Sequence, residues 1–302
     1  MGARNRYPGI RAFEPTETNL FFGRSDDSRE LFTQVKAQPL VVLFAKSGIG
    51  KSSLLNAGLR PRLEDDFFLP IKIRLQEKSI LPIDHVKKEL QAFLKQDRLQ
   101  QFTGQGAEEA PLWEFLRACD FGTQVIEEGE EPMQTIPTLI FDQFEEFFDH
   151  DVENRASLVE GLADLLSDRL PKRIHKELRA IKFKDRTDEI MDWYSPIKLK
   201  IVLAIRSDRL SFLDDLAQEI PIILRSRYHL KPFQEYQARE AIVEPAKLEG
   251  AGFLTPPFSY DEPTLDGILD YLSNKDGEIE AFQMQLVCQY VEREVYKRNQ
   301  GS

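Results

Sequence analysis

Residues 39–52 read Pro-Leu-Val-Val-Leu-Phe-Ala-Lys-Ser-Gly-Ile-Gly-Lys-Ser, and this stretch decides the fold. Its first half, PLVVLFA, is apolar and rich in aliphatic and β-branched side chains, with no alternation between apolar and polar positions. That pattern predicts a strand buried on both faces, as in a parallel sheet covered by helices. Its second half turns at Gly48 and Gly50 and runs into a helical segment at residues 52–58, SSLLNAG. Residues 45–52 match the pattern GxxxxGK[ST], with Ala45 in place of the first glycine. Each matching element has a physical reason. Gly48 and Gly50 let the backbone curl so that its N–H groups converge on phosphate oxygens. The helix start adds its positive dipole end and unsatisfied amides. Lys51 supplies a point charge for the terminal phosphates, and the Ser52 hydroxyl is a ligand for Mg²⁺.

Working outward, further strands are predicted at residues 68–75, 138–142 (TLIFD) and 199–206 (LKIVLAIR), with a weaker one at 222–230. Helical periodicity fills the gaps: Val86, Leu90, Phe93 and Leu94 recur at helical spacing, as do Leu158, Leu162, Leu165 and Leu166. Strands alternating with helices imply crossover units and an α/β fold, a three-layer sandwich around a central parallel sheet. After Pro232 the pattern is helical only, with Leu265, Ile268, Leu269 and Leu272 in one stripe and Phe282, Leu286 and Tyr290 in another. The expected organisation is an N-terminal linker over residues 1–38, a phosphate-loop core over 39–231, and a small helical domain over 232–302. Residues 100–111 and 122–137 read as loops. Residues 169–186 carry eight Lys and Arg against two acids, which reads chiefly as a solvated helix face.

Composition narrows the function. The 302 residues are 30% charged and 41% hydrophobic, which suits a globular chain rather than a disordered one. Lys and Arg total 40 against 51 Asp and Glu, giving a net charge of -11 and disfavouring a nonspecific binder of nucleic acid or anionic membrane. Two cysteines are too few for a disulfide scaffold or a cysteine zinc site, and four scattered histidines form no HExxH pair. No apolar run is long enough to span a membrane, and the first nine residues hold no signal-peptide core, so a cytoplasmic protein is expected.

The predicted strand at 138–142 ends in Asp142, followed by Gln143-Phe144-Glu145-Glu146. A carboxylate at a strand's end beside a phosphate loop holds Mg²⁺ through its water shell, and a second one polarises an attacking water. Alone, the run reads equally well as an acidic helix N-terminus favoured by the helix dipole. Arg206 ends the strand at 199–206, where a cation would stabilise γ-phosphate charge; the competing reading is an ion pair with Asp208 or Asp142. Arg225 and Arg227 are weaker candidates for reaching a neighbouring subunit's nucleotide. Asn274-Lys275-Asp276-Gly277 misses the guanine-reading pattern NKxD, which leaves adenine as the default base.

Taken together the motifs resemble the STAND-type P-loop NTPases related to the AAA+ class, and within them the novel STAND branch. The residues that carry the resemblance are Tyr7-Pro8-Gly9-Ile10-Arg11-Ala12-Phe13-Glu14, Phe21-Phe22-Gly23-Arg24, the run from Ser47 to Leu55, the FDQFEEF run at 141–147, Ala204-Ile205-Arg206-Ser207-Asp208, and Leu230-Lys231-Pro232-Phe233. The resemblance implies a P-loop NTPase sandwich followed by a helical lid, using ATP or ADP and Mg²⁺ as an ATPase of slow turnover. Ser47, Gly48, Ile49, Gly50, Lys51, Ser52 and Ser53 would bind the nucleotide, with Phe22, Gly23 and Arg24 approaching the adenine. Ser52 and Asp142 would hold the metal. Glu146 would be the catalytic base, Glu145 its neighbour in the acidic pair, and Arg206 the sensor, with Lys51 shared between binding and catalysis. Two positions depart from the family pattern: Ala45, and Ala281, where relatives often carry a proline near the nucleotide. The resemblance also implies flanking effector and sensor domains in a larger chain and a homo-oligomer on activation, in a signalling or defence role. The chain is accordingly expected to be the NTPase module of a longer protein, with Gly301-Ser302 reading as a cloning remnant. The alternatives are a nucleotide-binding scaffold without hydrolysis, and an AAA+-like ATPase acting with DNA.

Overall fold

A computed structural model describes residues 4–104, 106–124, 132–182, 186, 191–192, 194–195, 197–250 and 252–300. Its strands are β1 (Leu40–Ala45), β2 (Phe68–Ile73), β3 (Thr123–Gln124), β4 (Met133–Gln134), β5 (Ile136–Phe141), β6 (Lys200–Arg206) and β7 (Arg227–His229). Its α-helices, in chain order, are α1 (Ser25–Ala37), α2 (Lys51–Ser53), α3 (Arg60–Glu64), α4 (Pro82–Leu90), α5 (Gln96–Thr103), α6 (Leu112–Ala118), α7 (Val152–Leu166), α8 (Lys172–Ala180), α9 (Glu235–Lys247), α10 (Glu262–Leu272) and α11 (Ala281–Gln300).

Five strands form one sheet in the order β2-β5-β6-β1-β7, and β3 pairs with β4 in a separate antiparallel ribbon. In the main sheet β5 runs parallel to both of its neighbours, with Phe68 to Ile73 registered against Ile136 to Phe141, and Thr138 to Phe141 against Lys200 to Leu203. Parallel strands are joined by crossovers and lie under helices, so their side chains are apolar on both faces. The α/β sandwich expected from the alternation of strands and helices is the fold observed.

By contact the chain forms two compact units whose membership does not follow chain order. The first gathers Met1–Thr33, Leu43–Asp65 and Tyr228–Ser302; the second gathers Gln34–Val42 and Asp66–Arg227. In the first, Tyr7 and Phe233 pack into one core with Ile242 of α9, Leu265, Leu269 and Leu272 of α10, and Met284 and Cys288 of α11. Each such aliphatic side chain contributes about 1.5–3 kcal/mol on burial. The Asp261 side chain caps α10 by accepting from the Thr264 N–H at 2.9 Å. In the second unit, β5 and β6 are buried along nearly their whole length, and Leu158 and Leu162 of α7 are buried with Phe115 of α6.

Several elements differ from the sequence expectations. The helix expected at 52–58 begins as α2, widens into a π-helical turn over Leu54–Leu59, and closes as α3. The helix expected through Leu94 stops at Leu90 and ends in a 3-10 turn, Gln91–Phe93. The stretch 100–111 is not all loop, because α5 occupies its start; within 122–137, β3, β4 and the beginning of β5 are strands, and residues 125–131 lie outside the described ones. The fifth strand is only Arg227–His229. The basic stretch forms α8, where Arg173 is held by Glu114 and Asp164 at 2.6 Å each; residues 183–185 within it are outside the described set. The clearest correction concerns α11. Its apolar stripe of Phe282, Leu286 and Tyr290 is exposed, and the buried line is Met284, Gln285, Cys288 and Glu292. Met284 and Cys288 on that line pack into the core with α9 and α10, and Glu292 turns inward because it accepts from the backbone N–H groups of Arg6 and Tyr7.

Candidate functional site

The phosphate loop lies in the first unit. β1 ends at Ala45, which is fully buried and has ordinary strand geometry, so alanine is tolerated where the pattern asks for glycine. Gly48 and Gly50 have φ of 80° and 105°, a region that side chains rarely adopt. Ile49 between them is buried and anchors the loop. Lys51 opens α2 and folds back beneath the loop, where its Nζ donates to the Ala45 carbonyl at 3.1 Å and the Lys46 carbonyl at 3.3 Å. Two residues on, the Ser53 hydroxyl accepts from the Phe13 N–H at 3.3 Å. The first residues of α11 lie over this loop: a Cβ built on Gly48 would stand 3.4 Å from the Phe282 Cβ, and one on Gly50 3.9 Å from the Ala281 Cβ.

Phe22, Gly23 and Arg24 belong to the same unit. Gly23 has φ of 77°, and a Cβ there would come within 2.3 Å of the Gln237 carbonyl oxygen, so the chain passes against α9 where no side chain fits. Arg24 is buried. Its guanidinium lies 3.8 Å from the centre of the Phe233 ring, pairs with Asp27 at 3.0 Å and donates to the Ile49 carbonyl at 3.4 Å. Burial pushes the Arg24 guanidinium below its ordinary pKa, while Asp27 opposes that shift. Arg24 thus ties the phosphate loop to the opening of the helical region through Phe233.

The acidic residues lie in the second unit. Asp142 comes directly after β5 and is buried, with its Oδ2 3.0 Å from the Lys72 Nζ and 4.0 Å from Arg74 Nη1. Gln143 takes φ of 60°, uncommon outside glycine, and lets the chain turn sharply at the end of the strand. From there the chain enters a 3-10 segment, Phe144–Asp149, rather than the α-helix N-terminus the acidic run suggested. Phe144 and Phe147 are buried and their rings stack at 5.1 Å, while Glu145 and Glu146 between them are half-buried. Glu146 is gripped by Arg74, whose Nη2 donates to Oε1 at 2.7 Å and whose Nε donates to Oε2 at 3.3 Å; the Gln143 side-chain oxygen also accepts from Arg74. Glu145 accepts instead from the Arg206 backbone N–H at 3.3 Å. The Arg206 side chain pairs with Asp208, with Nη2–Oδ2 at 2.8 Å and Nε–Oδ1 at 3.0 Å.

Lys72 and Arg74 are the residues that sequence reasoning missed. They stand at alternate positions at the end of a strand that is otherwise apolar, Phe68 to Ile73. Two cations with that spacing share one face of the strand, and this is the signal that would have pointed to an acidic partner on the next strand.

Comparisons with known proteins bear on the fold and the family. No curated protein sequence matches the chain significantly. Solved structures that resemble it include a Walker-type ATPase of Pyrococcus abyssi, with 17% identity, a TM-score of 0.55 and coverage of 97% of this chain and 73% of the other. The ORC2 protein of Aeropyrum pernix shares 12% identity with a TM-score of 0.52, covering 97% and 69%. Cdc6p of Pyrobaculum aerophilum shares 15% with a TM-score of 0.54, covering 92% and 62%. At these identities the likeness is one of fold, that of a P-loop ATPase. The family model for Novel STAND NTPase 1 matches residues 7–259, a span that takes in the N-terminal run, the phosphate loop, the acidic turn and the start of the helical region, and the chain belongs to that family.

Proposed function

We propose that this chain is the nucleotide switch of a signalling or defence protein: it binds ATP or ADP with Mg²⁺ and hydrolyses ATP slowly, and its helical region changes position with the nucleotide. The observation that carries the reading is the phosphate loop. Two glycines in left-handed geometry shape it, and Lys51 waits beneath it on two backbone carbonyls. Phosphate oxygens would take over the Lys51 ammonium, while loop N–H groups and the start of α2 compensate the remaining charge. Gly23 and Arg24 would define the base side of the site, with Phe22 beside them.

The Ser52 hydroxyl and the Asp142 carboxylate are hard oxygen donors of the kind Mg²⁺ takes. When bound, Mg²⁺ would neutralise charge on the β and γ phosphates. Glu146 would accept the proton of the attacking water, with Glu145 placed by Arg206, and Arg206 would respond to γ-phosphate charge. The grip of Arg74 on Glu146 supports slow turnover, because a carboxylate held on both oxygens is a poor proton acceptor until it is released. The same grip favours a second reading, a scaffold that binds nucleotide without hydrolysing it.

We read residues 1–38 as a linker, 39–231 as the core and 232–302 as a lid, with flanking effector and sensor domains and assembly into oligomers as the larger context. Among the described residues no helix is long and apolar enough to cross a membrane. Calorimetry with ATP and ADP, with and without Mg²⁺, tests binding, and phosphate release over hours separates the switch from the scaffold. A chain that binds neither nucleotide sinks both readings.

A further inference from the structure

Arg6 is fully buried, and it lies on an irregular segment near the N-terminus rather than in a core element. A buried guanidinium is costly unless its donors are used, and here four donations use four of its five N–H groups. Its Nε donates to the Thr255 hydroxyl at 3.0 Å. Its Nη1 donates to the carbonyls of Pro245 at 2.9 Å and Leu248 at 2.7 Å, and its Nη2 to that of Thr255 at 2.9 Å. The Phe253 ring lies 4.2 Å away beneath the guanidinium. The backbone N–H groups of Arg6 and Tyr7 both donate to the Glu292 carboxylate of α11, and the Tyr7 hydroxyl donates to the Ile242 carbonyl of α9. The end of α9, the segment around Thr255 and the middle of α11 are therefore held by two consecutive residues. This polar contact is also why α11 turns Glu292 inward.

The other end of the same segment grips the phosphate-loop helix. Both peptide groups of Phe13 are engaged: its N–H donates to the Ser53 hydroxyl, one residue past Ser52, and its carbonyl accepts from Asn56 Nδ2 at 2.8 Å. Asn56 is buried in the π-helical turn, where the wider turn sets its side chain toward the segment. Phe13 itself packs with Leu20 and Ala57.

We propose that residues 6–13 form a coupling strap: Ser53 and Asn56 transmit the state of the phosphate loop to Phe13, and Arg6 and Tyr7 transmit it to α9 and α11. Arg6 is then a positioning residue for nucleotide binding, although its side chain donates to Pro245, Leu248 and Thr255 and not to the loop. The strap's role rests on the nucleotide-binding reading above. A segment tied at both ends by hydrogen bonds is a physical route for such coupling, and the test of a route is energetic.

The test is a double-mutant cycle on ADP affinity, measured by calorimetry in the whole chain, with Arg6→Gln at one end and Asn56→Ala at the other. Each change alone is expected to weaken ADP by about fivefold, and the pair by little more than either. Hydrogen exchange supplies a readout that a merely structural role does not move. In the unaltered chain ADP slows exchange at residues 242–255 and 288–292; in Asn56→Ala, at saturating ADP, that protection is lost while exchange without nucleotide is unchanged. If Arg6→Gln does not fold, Tyr7→Phe removes a single hydroxyl at the same end and takes its place in the cycle. Effects that multiply, or ADP protection that survives Asn56→Ala, overturn the strap alone. An unaltered chain that binds no ADP overturns the nucleotide reading, and the strap's coupling role with it.

Discussion

The phosphate loop and the acidic turn each come after an apolar strand, yet different forces hold them. The loop is a backbone object: left-handed glycines give its shape, Ile49 anchors it, and Lys51 rests on carbonyl oxygens. The acidic turn is a charge object, in which Asp142 faces Lys72 and Glu146 is clasped by Arg74. Backbone geometry is insensitive to which ions surround it, whereas a carboxylate's availability depends on its counter-ion. On the proposed function, the difference would let the loop set affinity and the acidic turn set rate, and the contrast can be broken experimentally on either side.

The largest expected effect is on rate. Glu146→Gln keeps shape and removes the proposed proton acceptor, so ATP hydrolysis should fall by about 10²-fold or more with ATP affinity retained. If Glu145→Gln has this effect instead, the assignment within the acidic pair is off by one residue. Next comes Lys51→Ala, which leaves phosphate charge uncompensated and should weaken ATP binding by about 2–4 kcal/mol in calorimetry, with an unchanged circular dichroism spectrum. Near-normal affinity in that variant removes the loop from the binding site.

Arg74→Ala sharpens the contrast further. Releasing Glu146 should raise the hydrolysis rate by up to about tenfold, about 1.4 kcal/mol of barrier, while ATP affinity stays within a factor of about two. A fall in rate would make Arg74 part of the catalytic machinery rather than a brake. Gly23→Ala acts on the backbone side. A Cβ within 2.3 Å of a carbonyl, at a φ of 77°, should cost about 1–3 kcal/mol and lower the melting temperature by several degrees. Smallest is Asp208→Asn: the Arg206–Asp208 pair is exposed, so its loss should leave the melting temperature unmoved. Any change it makes would be in hydrolysis, through a released Arg206.

The sheet was legible because a buried parallel strand must be apolar on both faces, and residues 39–45 and 199–206 are written that way. The helical region was legible in outline, since α10 carries a clean stripe of Leu265, Leu269 and Leu272 that the structure buries. The orientation of α11 was not, because the face it buries mixes the polar Gln285 and Glu292 with Met284 and Cys288 and so hides the apolar period. Its stripe of Phe282, Leu286 and Tyr290 is as regular as that of α10, yet Glu292 is the side that faces inward, toward the backbone N–H groups of Arg6 and Tyr7. Arg6 itself reads in the sequence as an ordinary surface arginine, since nothing local marks a guanidinium that will be buried.

By itself the sequence determined the strand–loop–helix around Lys51, because glycine geometry and helix dipoles are local properties that chain neighbours dictate. It also determined the order of the motifs, and with it the family. Only the tertiary structure decided which charges meet. The pairing of Lys72 with Asp142 and of Arg74 with Glu146 brings together residues about seventy positions apart, and the burial of Arg6 against Thr255 joins residues 249 positions apart. Charge interactions depend on distance in space and on local burial, and neither quantity is written in the spacing of residues along the chain.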